Sequence, residues 1–250
     1  MKRFEGKSAV VTGAGSGIGR ATARRLALEG AKVLVADVNV DGAAETVKLI
    51  TDAGGTAESV RCDVSLPDDA KATVLRAVSS FGKLDVLANV AGVGGFHRTL
   101  DVTFEMWSRM IAVNLTGSFL MAQAALPHVI AQKGAIVLCA SIAGLKSHPY
   151  SAAYCASKGG VVQLMKALAV EYARKGIRVN CVCPGGVETP MISQFSLPPG
   201  GSPQQLTRIA PILDRYATPD EVAAAIAFLA SSDASYISGT SLVVDAAMSC

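Results

Sequence analysis

Residues 8–37 read SAVVTGAGSGIGRATARRLALEGAKVLVAD. A short apolar run, SAVVTG (8–13), passes straight into a glycine-rich turn, TGAGSGIG (12–19). An amphipathic stretch, IGRATARRLALEG, follows and stops at glycine, and a second apolar run, KVLVAD (32–37), ends on an acid. Strand, tight turn, helix and strand in that order make one βαβ unit. In the turn, Gly13, Gly17 and Gly19 are spaced G-x-x-x-G-x-G, with Gly15 extra and with Ser16 and Ile18 between them. Glycine is needed there because the chain must reverse sharply, and because a pyrophosphate must approach backbone N–H groups and a helix N-terminus with no Cβ in the way.

The same rhythm runs through the chain. Further strand candidates are AESVRCDV (57–64), LDVLANV (84–90), AIVLCAS (135–141), IRVNCVCPG (177–185) and TSLVVDA (240–246), separated by stretches with apolar residues at helical spacing. Short, continuously apolar, valine-rich strands suit a parallel sheet covered on both faces. The fold class is therefore α/β: a single domain (1–250) with a Rossmann-like, doubly wound parallel sheet of seven strands, helices on both faces, and ligands at the carboxyl ends of the strands. Residues 187–213, rich in Pro, Gly, Ser and Gln directly after a strand end, read as a mobile substrate lid.

Composition excludes several function classes. The 250 residues carry a formal net charge of only +3, with Lys and Arg scattered, so neither a nucleic-acid face nor a basic membrane patch is expected. An apolar fraction of 50% and a mean hydropathy of +0.39 suit a large core or surface buried against copies of the same chain. No continuous apolar run reaches the length of about eighteen residues that spans a bilayer, and MKRFEGKSAV lacks an export signal's apolar segment. The six cysteines (Cys62, Cys139, Cys155, Cys181, Cys183, Cys250) contain no C-x-x-C and read as free thiols of a cytoplasmic protein. No His, Cys, Asp or Glu group has metal-site spacing, and no metal is expected.

The acid that ends KVLVAD is Asp37. A carboxylate there can accept hydrogen bonds from adenosine ribose hydroxyls and would repel a 2′-phosphate, and neither Ser16 nor Val38 nor Asn39 offers a cation to neutralise one. NAD(H) is thus favoured over NADP(H) as cofactor. The competing reading is an acid that only caps the following loop.

Farther along, YCASK (154–158) places Tyr154 and Lys158 one turn apart on a helix face, and Ser141 lies thirteen residues earlier at the end of an apolar run. With TGAGSGIG, these stretches give the whole chain a resemblance to the short-chain dehydrogenase/reductase family, in its single-domain branch. CDV (62–64) resembles the family's adenine-side motif, which implies Asp63 and Val64 beside the cofactor. NVAG (89–92) is similar to its N-N-A-G and implies Asn89, Ala91 and Gly92 there too, while NLTG (114–117) resembles the segment with the catalytic Asn114. PGGVET (184–189) resembles the nicotinamide-side loop and implies Pro184, Gly185, Val187 and Thr189. The resemblance further implies a homotetramer. Two departures stand out: Val90 replaces the second Asn of N-N-A-G, and VDAAM (244–248) has alanines where the family often has V-D-G-G.

Hydride transfer at an alcohol carbon requires a proton to leave the hydroxyl in one direction and to be supplied in the other. Tyr154 is the expected acid/base, with Lys158 lowering the phenol's pKa and, as the resemblance implies, holding the nicotinamide ribose. Ser141 is placed to hold the substrate oxygen. Asn114 would fix a water beside the lysine, again by resemblance alone. The expected activity is NAD(H)-dependent interconversion of a secondary alcohol and a ketone. The alternatives are an NADPH-dependent 3-oxoacyl-[acyl-carrier-protein] reductase and a dinucleotide-binding protein without catalysis. Phe96, Leu145, Met191, Ile192, Phe195 and Leu197 hint at a hydrophobic or cyclic substrate. Tyr150 reads as pocket lining, and His97 and His148 as structural histidines at the cleft border.

Overall fold

The computed structural model describes residues 2–209 and 213–250. Its elements run β1 (Ser8–Thr12), α1 (Gly17–Leu28), β2 (Lys32–Asp37), α2 (Val40–Asp52), β3 (Thr56–Arg61), α3 (Pro67–Phe81), β4 (Val86–Asn89), α4 (Phe104–Ile111), α5 (Gly117–Ala131), β5 (Ala135–Cys139), α6 (Ala152–Tyr172), β6 (Arg178–Pro184), α7 (Pro203–Leu206), α8 (Pro219–Ala230) and β7 (Ser241–Val244). Each of the seven strands overlaps one of the strand candidates read from the sequence, β3 (TAESVR) being the least apolar. The CDV motif lies beyond β3 rather than inside it. The Asp63 carboxylate accepts hydrogen bonds from the Ser65 N–H at 3.0 Å and the Ser65 hydroxyl at 2.6 Å, a local turn that ends the strand.

The strands form one sheet in the order β3-β2-β1-β4-β5-β6-β7, and every pairing is parallel. Strand order therefore reverses between β1 and β4, whose last residues, Thr12 and Asn89, face one another in register. In a doubly wound sheet that reversal opens a crevice above the carboxyl ends, which is where ligands bind. Successive residues of a strand point to opposite faces, so β1 sends Val10 into one core and Ala9 and Val11 into the other. One core packs beneath α3, α5 and α6 and the other beneath α1 and α8, which is why the strands inside the sheet are largely apolar, whereas the edge strand β3, TAESVR, has no fully buried residue.

A wide π turn, Ala112–Thr116, joins α4 to α5 in a continuous helix, Phe104–Ala131. By length and composition alone this helix could cross a bilayer. Its apolar residues are used inside the fold, since Met121, Ala122, Ala125 and Val129 are fully buried in the core beneath it. The π turn widens the helix at Asn114 and leaves that side chain completely buried.

Candidate active site

At the strand reversal a buried threonine organises both loops. The Thr12 hydroxyl donates to Asn89 Oδ1 at 2.6 Å and accepts from the Val90 and Ala91 N–H groups at 3.0 and 3.1 Å. The glycine turn lies directly above. Gly13 has φ +63°, and a Cβ on it would lie 2.7 Å from the Ala91 backbone. Gly17 has φ +50°, and its Cβ would meet Thr189 at 3.0 Å, so the loop after β6 lies across the turn after β1. Ser16 precedes α1 without a side-chain cap, and no acid stands in that helix's first turn. Its N-terminal N–H groups and positive dipole end are thus open to an anion.

Asp37 closes the far side of the turn. One carboxylate oxygen accepts from the Gly15 N–H at 2.7 Å and the other from the Asn39 N–H at 2.8 Å. The acid therefore does cap its own loop, and it also braces the glycine turn. A cation not foreseen from the turn's flanks stands nearby: Arg20 bonds the Gly15 carbonyl, Thr46 Oγ1 at 3.0 Å and Glu45 at 2.6 Å. Its charge is already paired.

The chemistry-bearing side chains come from three elements at the carboxyl edge. Ser141 lies two residues beyond β5, 7% exposed, where its Oγ accepts from the Ala143 N–H at 3.1 Å. Tyr154 and Lys158 share one face of α6 as their spacing requires, with Lys158 Nζ 5.9 Å from the phenol ring centroid. The ammonium is not spent on the ring, because it donates to the Cys139 carbonyl at 2.8 Å. Asn114 reaches toward the same place. Its side chain accepts from the Val93 N–H and donates to the Val93 carbonyl, both at 2.8 Å, and bonds Ser157 Oγ at 3.0 Å. A Cβ on Gly92 would lie 3.2 Å from Asn114 Oδ1 and 3.3 Å from Lys158 Nζ, so these two groups converge on the NVAG loop.

The phenol differs from expectation in one respect. Burial pushes the Tyr154 pKa upward, with the Ser141 side chain pulling it back, and burial lowers that of Lys158. Desolvation is the larger of the two influences on the phenol, ahead of the Ser141 hydrogen bond.

Ser141, Tyr154, Lys158, Gly92, Ile18, Pro184, Gly185, Val187 and Thr189 line one cleft of about 340 Å³. Asn89, Ala91, Gly13, Gly19 and Asn114 do not line it, nor do Ser16, Gly17, Asp37, Asp63 and Val64, although Gly17 lies against Thr189 of its lining. Val64 packs at the start of α5, where a Cβ on Gly117 would meet it at 2.7 Å.

Apolar residues close the opposite side. Phe195 sets its ring edge against Tyr154 at 5.4 Å and against Phe96 at 5.0 Å between centroids. Its segment is pinned at the base, where Glu188 N–H donates to the Ala217 carbonyl and Ala217 N–H to the Gly186 carbonyl. Residues 210–212, inside the lid range read from sequence, fall outside the described residues. Tyr150 does not line the cleft. It holds a left-handed φ of +59°, its carbonyl accepts from the His97 N–H at 2.7 Å and its hydroxyl accepts from the Ser202 N–H at 2.6 Å. It thus ties three loops together. The carboxyl-terminal segment completes the wall through Met248, carried there by Ala246 and Ala247, both in left-handed backbone (φ +50° and +65°) where glycine would be unstrained.

Sequence reasoning missed Thr12, Arg20 and Met248. Thr12 stood inside the quoted motif, but its partners lie 77 residues away; nothing local marks the other two.

A family model described as enoyl-(acyl carrier protein) reductase matches residues 13–249. The chain is 42% identical to a cyclohexanol dehydrogenase of Acinetobacter sp. (strain SE19), covering 98% of this chain and 96% of that one. It is 44% identical to a cis-4-hydroxycyclohexanecarboxylate dehydrogenase of Sinomonas cyclohexanicum, over 97% and 96% of the two chains. A solved 3-ketoacyl-(acyl-carrier-protein) reductase from Brucella melitensis, complexed with NADH, superposes with a TM-score of 0.90 at 38% identity, covering 99% of this chain and all of that one. Parallel sheet, glycine turn and a match along nearly the whole length define an NAD(P)-dependent oxidoreductase class. The chain belongs to the short-chain dehydrogenase/reductase family.

Proposed function

We propose that this protein interconverts a secondary alcohol and its ketone, prefers NAD(H), and uses Tyr154 to take and give the proton. The observation that carries the reading is the single cleft in which Ser141, Tyr154 and Lys158 meet the glycine-turn side of the crevice through Ile18 and Thr189. The residues fit a dinucleotide: the turn has backbone where side chains would collide, and the N-terminus of α1 is uncapped. On this reading Gly13 to Gly19 hold the pyrophosphate, Asp37 the adenosine ribose, and Asp63 and Val64 the adenine side. Asn89, Ala91 and Gly92 line the middle, with Lys158 at the second ribose and Pro184, Gly185, Val187 and Thr189 at the carboxamide. When bound, the nicotinamide supplies the hydride acceptor or donor.

The remaining work falls to side chains of this chain. Ser141 holds the substrate oxygen and steadies the charge developing on it. Tyr154 removes the hydroxyl proton on oxidation and returns it on reduction. Its raised pKa in the free protein means that a cationic neighbour must favour the phenolate, and Lys158, fixed by Cys139, is the resident one. Asn114 keeps the Val93 loop and the lysine in register. The segment 187–213 acts as a lid that excludes water through Phe195, Met191 and Ile192. The exposed Phe104, Trp107 and Phe119 along one long helix support a homo-oligomer, proposed as a tetramer, and free cysteines support a cytoplasmic location.

Both dehydrogenases named above act on ring alcohols, which together with an apolar lining favours a small cyclic secondary alcohol as substrate. The likeness to a carrier-protein reductase keeps β-ketoacyl thioesters as a second reading. The test is absorbance at the reduced nicotinamide band with cyclohexanol, other secondary alcohols and an acetoacetyl thioester, run with both cofactors. The expected result is alcohol oxidation with NAD⁺ better than NADP⁺ by about tenfold or more. Turnover of the thioester alone would favour the second reading, and turnover of nothing would defeat both.

A further inference from the structure

Among the described residues, four buried side-chain polar atoms have no partner within the protein: the hydroxyls of Thr22, Thr73 and Ser151, and His148 Nε2. Only His148 lines the cleft, on the turn between Ser141 and Tyr154. Four other polar side chains of the lining have a place already, and a fifth, Tyr216, packs its ring against Gly186. Ser141 and Tyr154 serve the reacting oxygen on the reading above, Lys158 is held by Cys139, and Thr189 lies against the glycine turn. Around the substrate end the remaining lining is apolar, formed by Phe96, Ile142, Met191, Ile192 and Phe195. A buried nitrogen with no partner among the described residues, on a side chain that lines the cleft, is open to a hydrogen bond from a group that enters it.

We propose that His148 recognises a second oxygen on the substrate, so that the preferred compound is a diol or hydroxyketone rather than a simple alcohol. The inference deepens the alcohol–ketone reading and rests on it. Burial and the nearby Lys146 both lower the imidazole's pKa, which keeps it neutral. A neutral imidazole donates or accepts one hydrogen bond, which matches a hydroxyl or a carbonyl oxygen; a carboxylate would have to be stripped of water with no charge to replace it. A site built to hydrogen-bond an oxygen discriminates strongly against an analogue lacking it, because the polar group is then left unpaired. The second oxygen is a recognition group only and does not react.

The test is kcat/KM with NAD⁺ for cyclohexanol and for the 1,2-, 1,3- and 1,4-cyclohexanediols, in wild type, His148→Leu and His148→Asn. The quantity read is the ratio of the best diol to cyclohexanol. In His148→Leu that ratio falls by about tenfold or more, as expected for losing one buried hydrogen bond, and in His148→Asn it is partly kept. If His148→Leu does not fold, His148→Ala supplies the same ratio. An unchanged ratio would mean that solvent alone uses the nitrogen and would overturn the proposal, as would a wild type that prefers cyclohexanol to every diol. Failure of wild type to oxidise any of these alcohols with either cofactor would instead defeat the alcohol–ketone reading itself.

Discussion

The two walls of the cleft are built by different means. On the glycine-turn side, backbone approaches backbone: Gly13 faces Ala91, Gly19 faces Gly13, and Thr12 and Asp37 lock the loops through buried or half-buried hydrogen bonds. Left-handed positions there are occupied by glycine, so the conformation costs little. On the substrate side the wall is made of apolar side chains on loops, and three of the four described non-glycine residues with positive φ, Tyr150, Ala246 and Ala247, lie in the loops that carry this wall without lining the cleft themselves. That side is held by long-range ties instead, from Tyr150 to His97 and Ser202, and from Phe195 to Tyr154 and Phe96. A wall assembled from backbone contacts accepts one ligand shape; a wall assembled from side chains on strained loops can be reshaped by substitution.

Replacing a turn glycine should give the largest effect. A Cβ on Gly19 would sit 2.0 Å from the Gly13 carbonyl oxygen, with no flexible side chain to yield. Gly19→Ala is expected to weaken NADH binding by about a hundredfold, read by fluorescence titration. Wild-type affinity would mean that the turn can open freely, and the contrast between the walls would fail.

Removing the charge of Asp37 should have a smaller and more selective effect. Asp37→Asn keeps the side chain's size and one of its two accepted backbone hydrogen bonds while abolishing repulsion of a 2′-phosphate. The ratio of NADP⁺ to NAD⁺ kcat/KM should rise about tenfold. No change would point to Arg20, rather than Asp37, as the group that sets cofactor choice.

On the opposite wall, Phe195→Ala should raise KM for an apolar alcohol by about five- to tenfold through lost apolar contact, while NADH affinity stays as in wild type. A parallel loss of NADH affinity would make the walls one structural unit. Smallest is the expected gain from relieving the tail. Ala246→Gly and Ala247→Gly should each stabilise the fold by about 0.5 kcal/mol in urea titrations, since release of left-handed strain exceeds the added freedom of the unfolded chain. Loss of stability in both would mean that the alanine methyl groups are packed in a way that outweighs their backbone.

The same contrast decides what could be read from the sequence. Strands and the glycine turn were legible because alternation, apolar runs and glycine spacing are local signals that the backbone obeys directly. Tyr154 and Lys158 were legible for the same reason, being one helical turn apart. Thr12 was not, because its role depends on Asn89, Val90 and Ala91 arriving from another strand. Tyr150 and the two tail alanines were opaque because no residue type there announces a left-handed backbone. The upward push on the phenol was not legible because spacing reveals the neighbouring lysine but neither the depth of burial nor the Cys139 carbonyl that holds the ammonium.

The most direct measurement compares wild type with Tyr154→Phe on an alcohol that wild type oxidises, across pH, with NADH affinity determined in parallel. Because burial holds the phenol above its ordinary pKa, wild-type oxidation should climb as pH rises and the phenolate gains population. The phenylalanine variant should bind NADH normally, lose about a thousandfold or more in kcat, and show no such climb. A variant that keeps most of the wild-type rate and the same pH profile would contradict the assignment of the proton to this hydroxyl.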